Sequence, residues 1–281
     1  METQLSCIPC IIKQIIYATH AVSGDPWLQK KIVANVLQAL AEVEYSLLPV
    51  TLVNSIFSEA VAKLGVSDPF QEEKKEVFSS FTDILADIEK RSTEVDQDPF
   101  TAALKMSAAV NHYPSFIDYD ETLDRIIEAA QKPGIVFEKE KLNKQYRKTN
   151  KTALLTSGFM EFPFDVYCLR LMGMNEISLI ASSRPFLWQI TAEEIQSLED
   201  SIPFAFQIKE IVYVNPKNDH FNLLNEDTFI ISKGFINYQY FEDYTDTILH
   251  LFYANSWCQP NMLALGLKNK PQSGIVMKFN D

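Results

Sequence analysis

The chain has 281 residues, and 25 Lys and Arg against 37 Asp and Glu leave a formal net charge of −12. With 47% hydrophobic residues, 8 glycines and 13 prolines, it can bury a sizeable core, which excludes long disorder, a collagen-like repeat and a disulfide-dense scaffold. The acidity also argues against a nucleic-acid partner, since phosphate backbones are repelled unless a local basic patch intervenes.

Met1–Pro9 lacks the basic patch and continuous apolar core of a signal peptide. No apolar stretch approaches the ~20 residues of a membrane helix, and four cysteines do not make a framework. The expectation is a cytoplasmic protein without a membrane partner. Residues 8–22 place Ile8, Ile11, Ile12, Ile15, Ile16 and Ala18 at helical spacing, with Pro9 in the first turn. The pairs Asp25-Pro26, Asp68-Pro69 and Asp98-Pro99 each suit a helix start, because the carboxylate caps free amides and proline tolerates the first helical position. Amphipathic runs follow each pair, at Trp27–Val43, Phe70–Ile88 and Phe100–Val110; residues 51–64, ended by Gly65, and 121–131 complete a helical first half. The basic run Lys139–Lys151 also carries Glu138, Glu140, Asn143 and Asn150 and reads as a solvated helix face or connector.

Near residue 150 the period changes. Short apolar runs at Ala153–Thr156, Ile177–Ala181, Glu210–Val214, Thr228–Ser232, Ile248–Tyr253 and Gly274–Phe279 read as strands. Helical patterns lie between some of them, at Phe164–Met172, Thr191–Ser201 and Gln259–Leu265. The reading is an α/β chain: a helical N-terminal region over 1–148, then a Rossmann-like α/β/α region with a mostly parallel sheet over 149–281. Such sheets place ligands beyond the carboxyl ends of their strands, which selects the turns Ser157–Glu161, Ala181–Gln189 and Lys233–Asn237.

Dinucleotide, Walker and nucleophile-elbow motifs are absent. The four histidines, His20, His112, His220 and His250, are dispersed and read as surface or satisfied-core residues. Cys168 sits in an apolar helix pattern and reads as core. Asp118-Tyr119-Asp120-Glu121-Thr122 mimics a phosphatase Asp-x-Asp-x-Thr, but Pro114 and Ser115 interrupt the strand that motif needs, so it reads as a loop with a helix cap. Cys7-x-x-Cys10 at a helix start could hold a metal or a disulfide, and a zinc site would need two further ligands. Glu161 and Asp165, four apart, would share one helix face. Lys233, after an apolar strand and before a glycine, could reach a phosphate, with Asn237 in the same turn.

In order and spacing, these features resemble the damage-control phosphatases, long known as protein-of-unknown-function family eighty-nine. The resemblance spans nearly the whole chain. It runs from Cys7-x-x-Cys10 and Gln14 through Asp98-Pro99-Phe100, Lys105, Asn111 and Ile117-Asp118. It continues with Glu161-Phe162-Pro163-Phe164-Asp165, Pro185, Thr191, Lys233-Gly234, Asn237-Tyr238 and Cys258 ahead of Leu265-Gly266. It implies a helical region, a Rossmann-like region and a cleft in which a divalent cation (Mn, Mg, Co or Ni) supports hydrolysis of a small phosphorylated metabolite. Carried over, Glu161 contacts the ion or water, Lys233 the phosphate, and Asn111, Asn237 and Asp98 the substrate.

The sequence departs from the family at the ion. The family's first sheet-end turn reads Asp-Asn-Ala-Gly-Glu; here it is Ser157-Gly158-Phe159-Met160-Glu161. The second turn's metal-binding aspartate becomes Gln189, after Trp188. Two carboxylates and one amide are thus missing from a site that needs anionic oxygen. The expectation is a diverged member with weak or lost catalysis, unless Asp98, Glu161 and Asp165 hold the ion instead. Two alternatives stay open: a non-enzymatic ligand- or partner-binding protein, for which Phe159, Trp188, Phe235 and Trp257 would be exposed, and a thiol-metal site at Cys7, Cys10 and Cys258.

Overall fold

The computed structural model of the protein describes residues 3, 5–43, 47, 49–110, 119–145, 148, 150–211, 228–241, 248–254 and 273–280. The first three helices are α1 (Ile8–Val22), α2 (Pro26–Glu42) and α3 (Pro49–Leu64), and they pack against one another. The Asp25 side chain accepts from the Trp27 amide at 2.9 Å, the capping role that the Asp-Pro pair implies.

The run Phe70–Ile88 is not one helix but two, α4 (Gln71–Ser79) and α5 (Phe81–Arg91). The break falls at Ser80, whose backbone leaves the helical region at φ −103° and ψ 11°. Serine hydroxyls compete for backbone carbonyls, and here Ser79 Oγ donates to the Glu76 carbonyl at 2.8 Å. Then come α6 (Pro99–Val110), α7 (Tyr119–Gln131), a two-residue strand β1 (Val136–Phe137) and α8 (Lys139–Gln145). β1 was not visible in the sequence: it is too short for any alternation to show.

α6 is buried from Thr101 to Val110 except at Lys105. Its Ala102, Ala103, Ser107, Ala108 and Ala109 are small enough for it to pack directly on α7 and, across the molecule, on the α/β elements. This helix joins the two halves of the chain.

The α/β elements are β2 (Lys151–Leu155), α9 (Phe162–Met172), β3 (Glu176–Ser182), α10 (Ala192–Ser197), β4 (Gln207–Ile211), β5 (Thr228–Lys233), α11 (Gly234–Phe241), β6 (Ile248–Ala254) and β7 (Gly274–Phe279). They form one sheet in the order β1-β7-β6-β5-β2-β3-β4. β2 to β6 run parallel, and only the β6–β7 pairing is antiparallel. The near-continuous burial of β2, β6 and β7 is what a sheet covered on both faces requires.

Three expectations need correction. The strand expected at 210–214 is β4, at Gln207–Ile211, because its register is set by pairing with Ser178–Ser182 of β3; residues 212–214 lie outside the described part. The helix expected at 191–201 shortens to α10 plus a 3-10 turn at Glu199–Ser201. Lys233–Asn237 is not a turn, because α11 begins directly after Lys233. The helix expected at 259–265 lies outside the described residues. No helix among the described residues is long and apolar enough to cross a membrane.

Candidate functional site

From β2 the chain moves outward to β3 and β4, then returns to place β5 on the other side of β2. Beyond the carboxyl ends of β2 and β5 lies the switch point where open α/β sheets bind ligands. Leu155 pairs with Ser232, so the turn after β2 and the start of α11 leave the sheet together. Gly234 adopts φ +78°, a left-handed conformation that glycine enters without penalty, and this lets α11 start at once.

Asn237, in that first turn of α11, is fully buried. Its Nδ2 donates to the carbonyls of Thr156 and Lys233, both at 2.8 Å, with Leu155 O at 3.3 Å. It ties the ends of β2 and β5 to each other.

Glu161 precedes α9, and the Asp165 amide bonds to its carbonyl at 3.0 Å, so the two carboxylates share one face as their spacing implies. That face meets Lys233. Its Nζ lies 3.6 Å from Glu161 Oε2 and 3.4 Å from Asp165 Oδ1, and it donates to the Ser107 carbonyl on α6. Ser107 Oγ donates to Asp165 Oδ1 at 2.6 Å, and the Gly158 amide donates to Glu161 Oε1 at 3.1 Å. Lys233, Asp165 and Glu161 are only 1%, 1% and 2% exposed. Burial pushes the Asp165 carboxyl up to about 7; the Lys233 ammonium opposes this and the Glu161 charge adds to it.

The turn after β3 closes over this cluster. The Phe159 amide donates to the Trp188 carbonyl at 2.9 Å, and the Ile190 amide to the Ser157 carbonyl at 3.0 Å. Gly158 and Gln189 therefore face each other in an isolated antiparallel bridge. Leu187 in this turn takes φ +51° while fully buried, a strain of about 1 kcal/mol that the surrounding contacts must hold. Gln189 is also fully buried, and neither its Oε1 nor its Nε2 has a hydrogen-bond partner among the described residues. A Cβ placed on Gly158 would lie 2.7 Å from Trp188 Cδ1 and 3.0 Å from Glu161 Oε1. The Trp188 ring fills the space that a side chain at position 158 would need.

These residues do not fit the divalent cation that the resemblance implies. Such an ion takes six or more oxygens, with carboxylates prominent among them. Ser157 and Gln189 are neutral, Gly158 has no side chain and no room for one, and the two carboxylates present already face an ammonium. No group of three or more His, Cys, Asp or Glu arranged for a metal occurs among the described residues.

The structure thus gathers Ser157, Gly158, Glu161, Asp165, Gln189, Lys233 and Asn237, but not Asp98. The Asp98 carboxylate accepts from Thr101 Oγ1 and, at 3.1 Å, from Lys139 Nζ. It precedes α6 by one residue, about 13 Å along the helix axis from Ser107. Asn111, His112, Asp118, His220, Trp257 and Cys258 lie outside the described residues. Cys7 is buried and Cys10 half-buried, one turn apart at the start of α1. Phe159 is fully buried, and Trp188 and Phe235 are half-buried, so these three do not form the exposed aromatic surface considered above. His250 is buried in the core, where Nε2 lies 2.7 Å from Asn280 Oδ1 and burial lowers its pKa to about 4.

Ser107 was missed by sequence reading. The one available signal was a hydroxyl in the alanine-rich run Ala102–Ala109, which looks like any small residue until α9 and β5 are folded against it.

The family model described as the damage-control phosphatase ARMT1-like domain matches residues 3–263. Among solved structures, the crystal structure of a DUF89 family protein from Pyrococcus horikoshii is similar, with a TM-score of 0.79, 19% identity and coverage of 100% of both chains. At that identity the likeness speaks for the fold alone. No curated protein matches the chain.

Proposed function

This chain belongs to the ARMT1-like damage-control phosphatase family, and from that premise we propose that it is a diverged member whose metal-dependent hydrolysis of phosphorylated metabolites is weak or lost. One observation carries the reading: the side chains that would serve phosphate and ion are turned onto each other, with Lys233 Nζ 3.4 Å from Asp165 and 3.6 Å from Glu161 in a site closed to solvent. An ammonium so held cannot also face a phosphate without giving up contacts it already makes. A cation entering between the same carboxylates would have to displace it, against Coulomb repulsion strengthened by burial.

Asn237 has a structural role in this reading, since its amide nitrogen is bonded to backbone carbonyls. Glu161 and Asp165 balance Lys233, and Ser107 holds both Asp165 and Lys233 in place.

The test is hydrolysis of a panel of sugar phosphates with Mn²⁺, Mg²⁺, Co²⁺ or Ni²⁺. The expected result is turnover at the buffer background, with no thermal shift on adding any of the four ions. Robust metal-dependent turnover abolished by Glu161→Ala would overturn the reading.

A further inference from the structure

The turn between β3 and α10, over residues 183–190, carries opposing forces. Two backbone bonds close it onto the turn after β2, from the Phe159 amide to the Trp188 carbonyl at 2.9 Å and from the Ile190 amide to the Ser157 carbonyl at 3.0 Å. The Phe186 ring packs edge-on against Phe57 of α3, with centroids 6.0 Å apart, and Leu187 and Ile190 are fully buried. These contacts favour the closed form.

Other features of the same turn oppose it. Leu187 holds φ at +51°, in the left-handed region where a Cβ crowds the following carbonyl oxygen. Two residues on, Gln189 is fully buried with both its donor and its acceptor unpartnered among the described residues. A buried amide without partners gives up the hydrogen bonds that water would supply. Opening the turn would relax Leu187 and return the Gln189 amide to water.

Gly158 identifies the part that moves. Its Cβ position lies 2.7 Å from Trp188 Cδ1 and 3.0 Å from Glu161 Oε1, so the indole stands against the Glu161 carboxylate only because position 158 has no side chain. Trp188 is half-buried, whereas Glu161, Asp165 and Lys233 are buried. The ring thus lies on the solvent side of the cluster.

We propose that residues 183–190 form a gate, with the Trp188 indole as its door, which opens locally to admit water and small polar solutes to Lys233, Glu161 and Asp165 while the sheet stays folded. Backbone strain and an unsatisfied amide bring the closed form nearer in free energy to the open one. The gate governs access to the site and stands whether or not hydrolysis survives there, so its failure and that of the function proposed above are separately detectable.

The test is native-state hydrogen exchange of the full chain, read amide by amide by NMR. The Phe159 and Ile190 amides report the gate, and those of Leu154 and Ile231, in β2 and β5, report the sheet. The gate amides should exchange at least about a hundredfold faster than the sheet amides. Gly158→Ala, which forces the ring outward, should speed the gate amides by about tenfold. Gln189→Met, which keeps the side chain's length and removes the unpartnered amide, should slow them by about tenfold. The sheet amides should stay within about twofold of wild type in both variants. Three results would overturn the proposal: gate amides no faster than sheet amides, the two variants failing to shift the gate in opposite directions, or a shift shared equally by the sheet amides.

Discussion

Lys74 and Lys233 are both buried, at 2% and 1% exposure, but they are held in different ways. Lys74 Nζ reaches Asp68 Oδ2 at 2.7 Å and Glu194 Oε1 at 3.0 Å, so two carboxylates from distant parts of the chain meet on one ammonium. Glu194 also accepts from the Thr191 amide at 2.8 Å, as part of the capping box of α10. Lys233 stands farther from its two carboxylates, at 3.4 Å from Asp165 and 3.6 Å from Glu161, and donates to a backbone carbonyl. The first arrangement is a brace between the helical half and the α/β half. The second neutralises charge without close pairing, and it leaves Asp165 Oδ2 with no hydrogen-bond partner among the described residues. Burial alone therefore does not identify a stabilising ion pair; the distances and the remaining partners do.

Three substitutions would break or sharpen that contrast. Lys74→Met should have the largest effect, a loss of about 3–5 kcal/mol in urea denaturation, because it strands Asp68 beside Glu194. A loss near 1 kcal/mol would mean that the brace is no stronger than a surface pair.

Lys233→Met should cost less, about 2–3 kcal/mol at pH 8, and its cost should shrink in acid. Asp165 has a folded pKa raised to about 7, so the stability it contributes is present in acid and lost as pH rises through that value. Removing the ammonium raises this carboxyl further. Below about pH 6 both proteins carry the proton, and above pH 7 only the variant resists losing it. Denaturation midpoints at pH 5.5 and pH 8 measure the difference; a cost that is equal or larger at pH 5.5 would show that removing Lys233 does not raise the Asp165 carboxyl.

Ser107→Ala should have the smallest effect, about 1–2 kcal/mol, from one lost bond to a buried carboxylate. Thermal melts beside Lys233→Met will show whether the two effects add. Non-additivity would place Ser107 and Lys233 in one network.

Much of this was legible in the residues. α1 begins and ends where the isoleucine spacing places it, Asp25 caps as Asp-Pro implies, and five of the six apolar runs fall where strands form. Glu161 and Asp165 meet on one helix face because four residues make about one turn. The neutral residues Ser157, Gly158 and Gln189 at the sheet end could be read directly from the sequence. β1 could not be seen, because two residues carry no period, and neither could the break at Ser80, because Phe70–Ile88 keeps its helical spacing across it.

Local patterns along the chain thus determined the element types and the mostly parallel sheet, since each depends on residues close in sequence. The partners of Lys233, the Trp188 ring over Gly158, and the joining of Lys74 to Glu194 across 120 residues were decided only by the tertiary structure. Those contacts depend on which side chains the packing of α6, α9 and the sheet brings within a few ångströms, and no spacing along the chain encodes that.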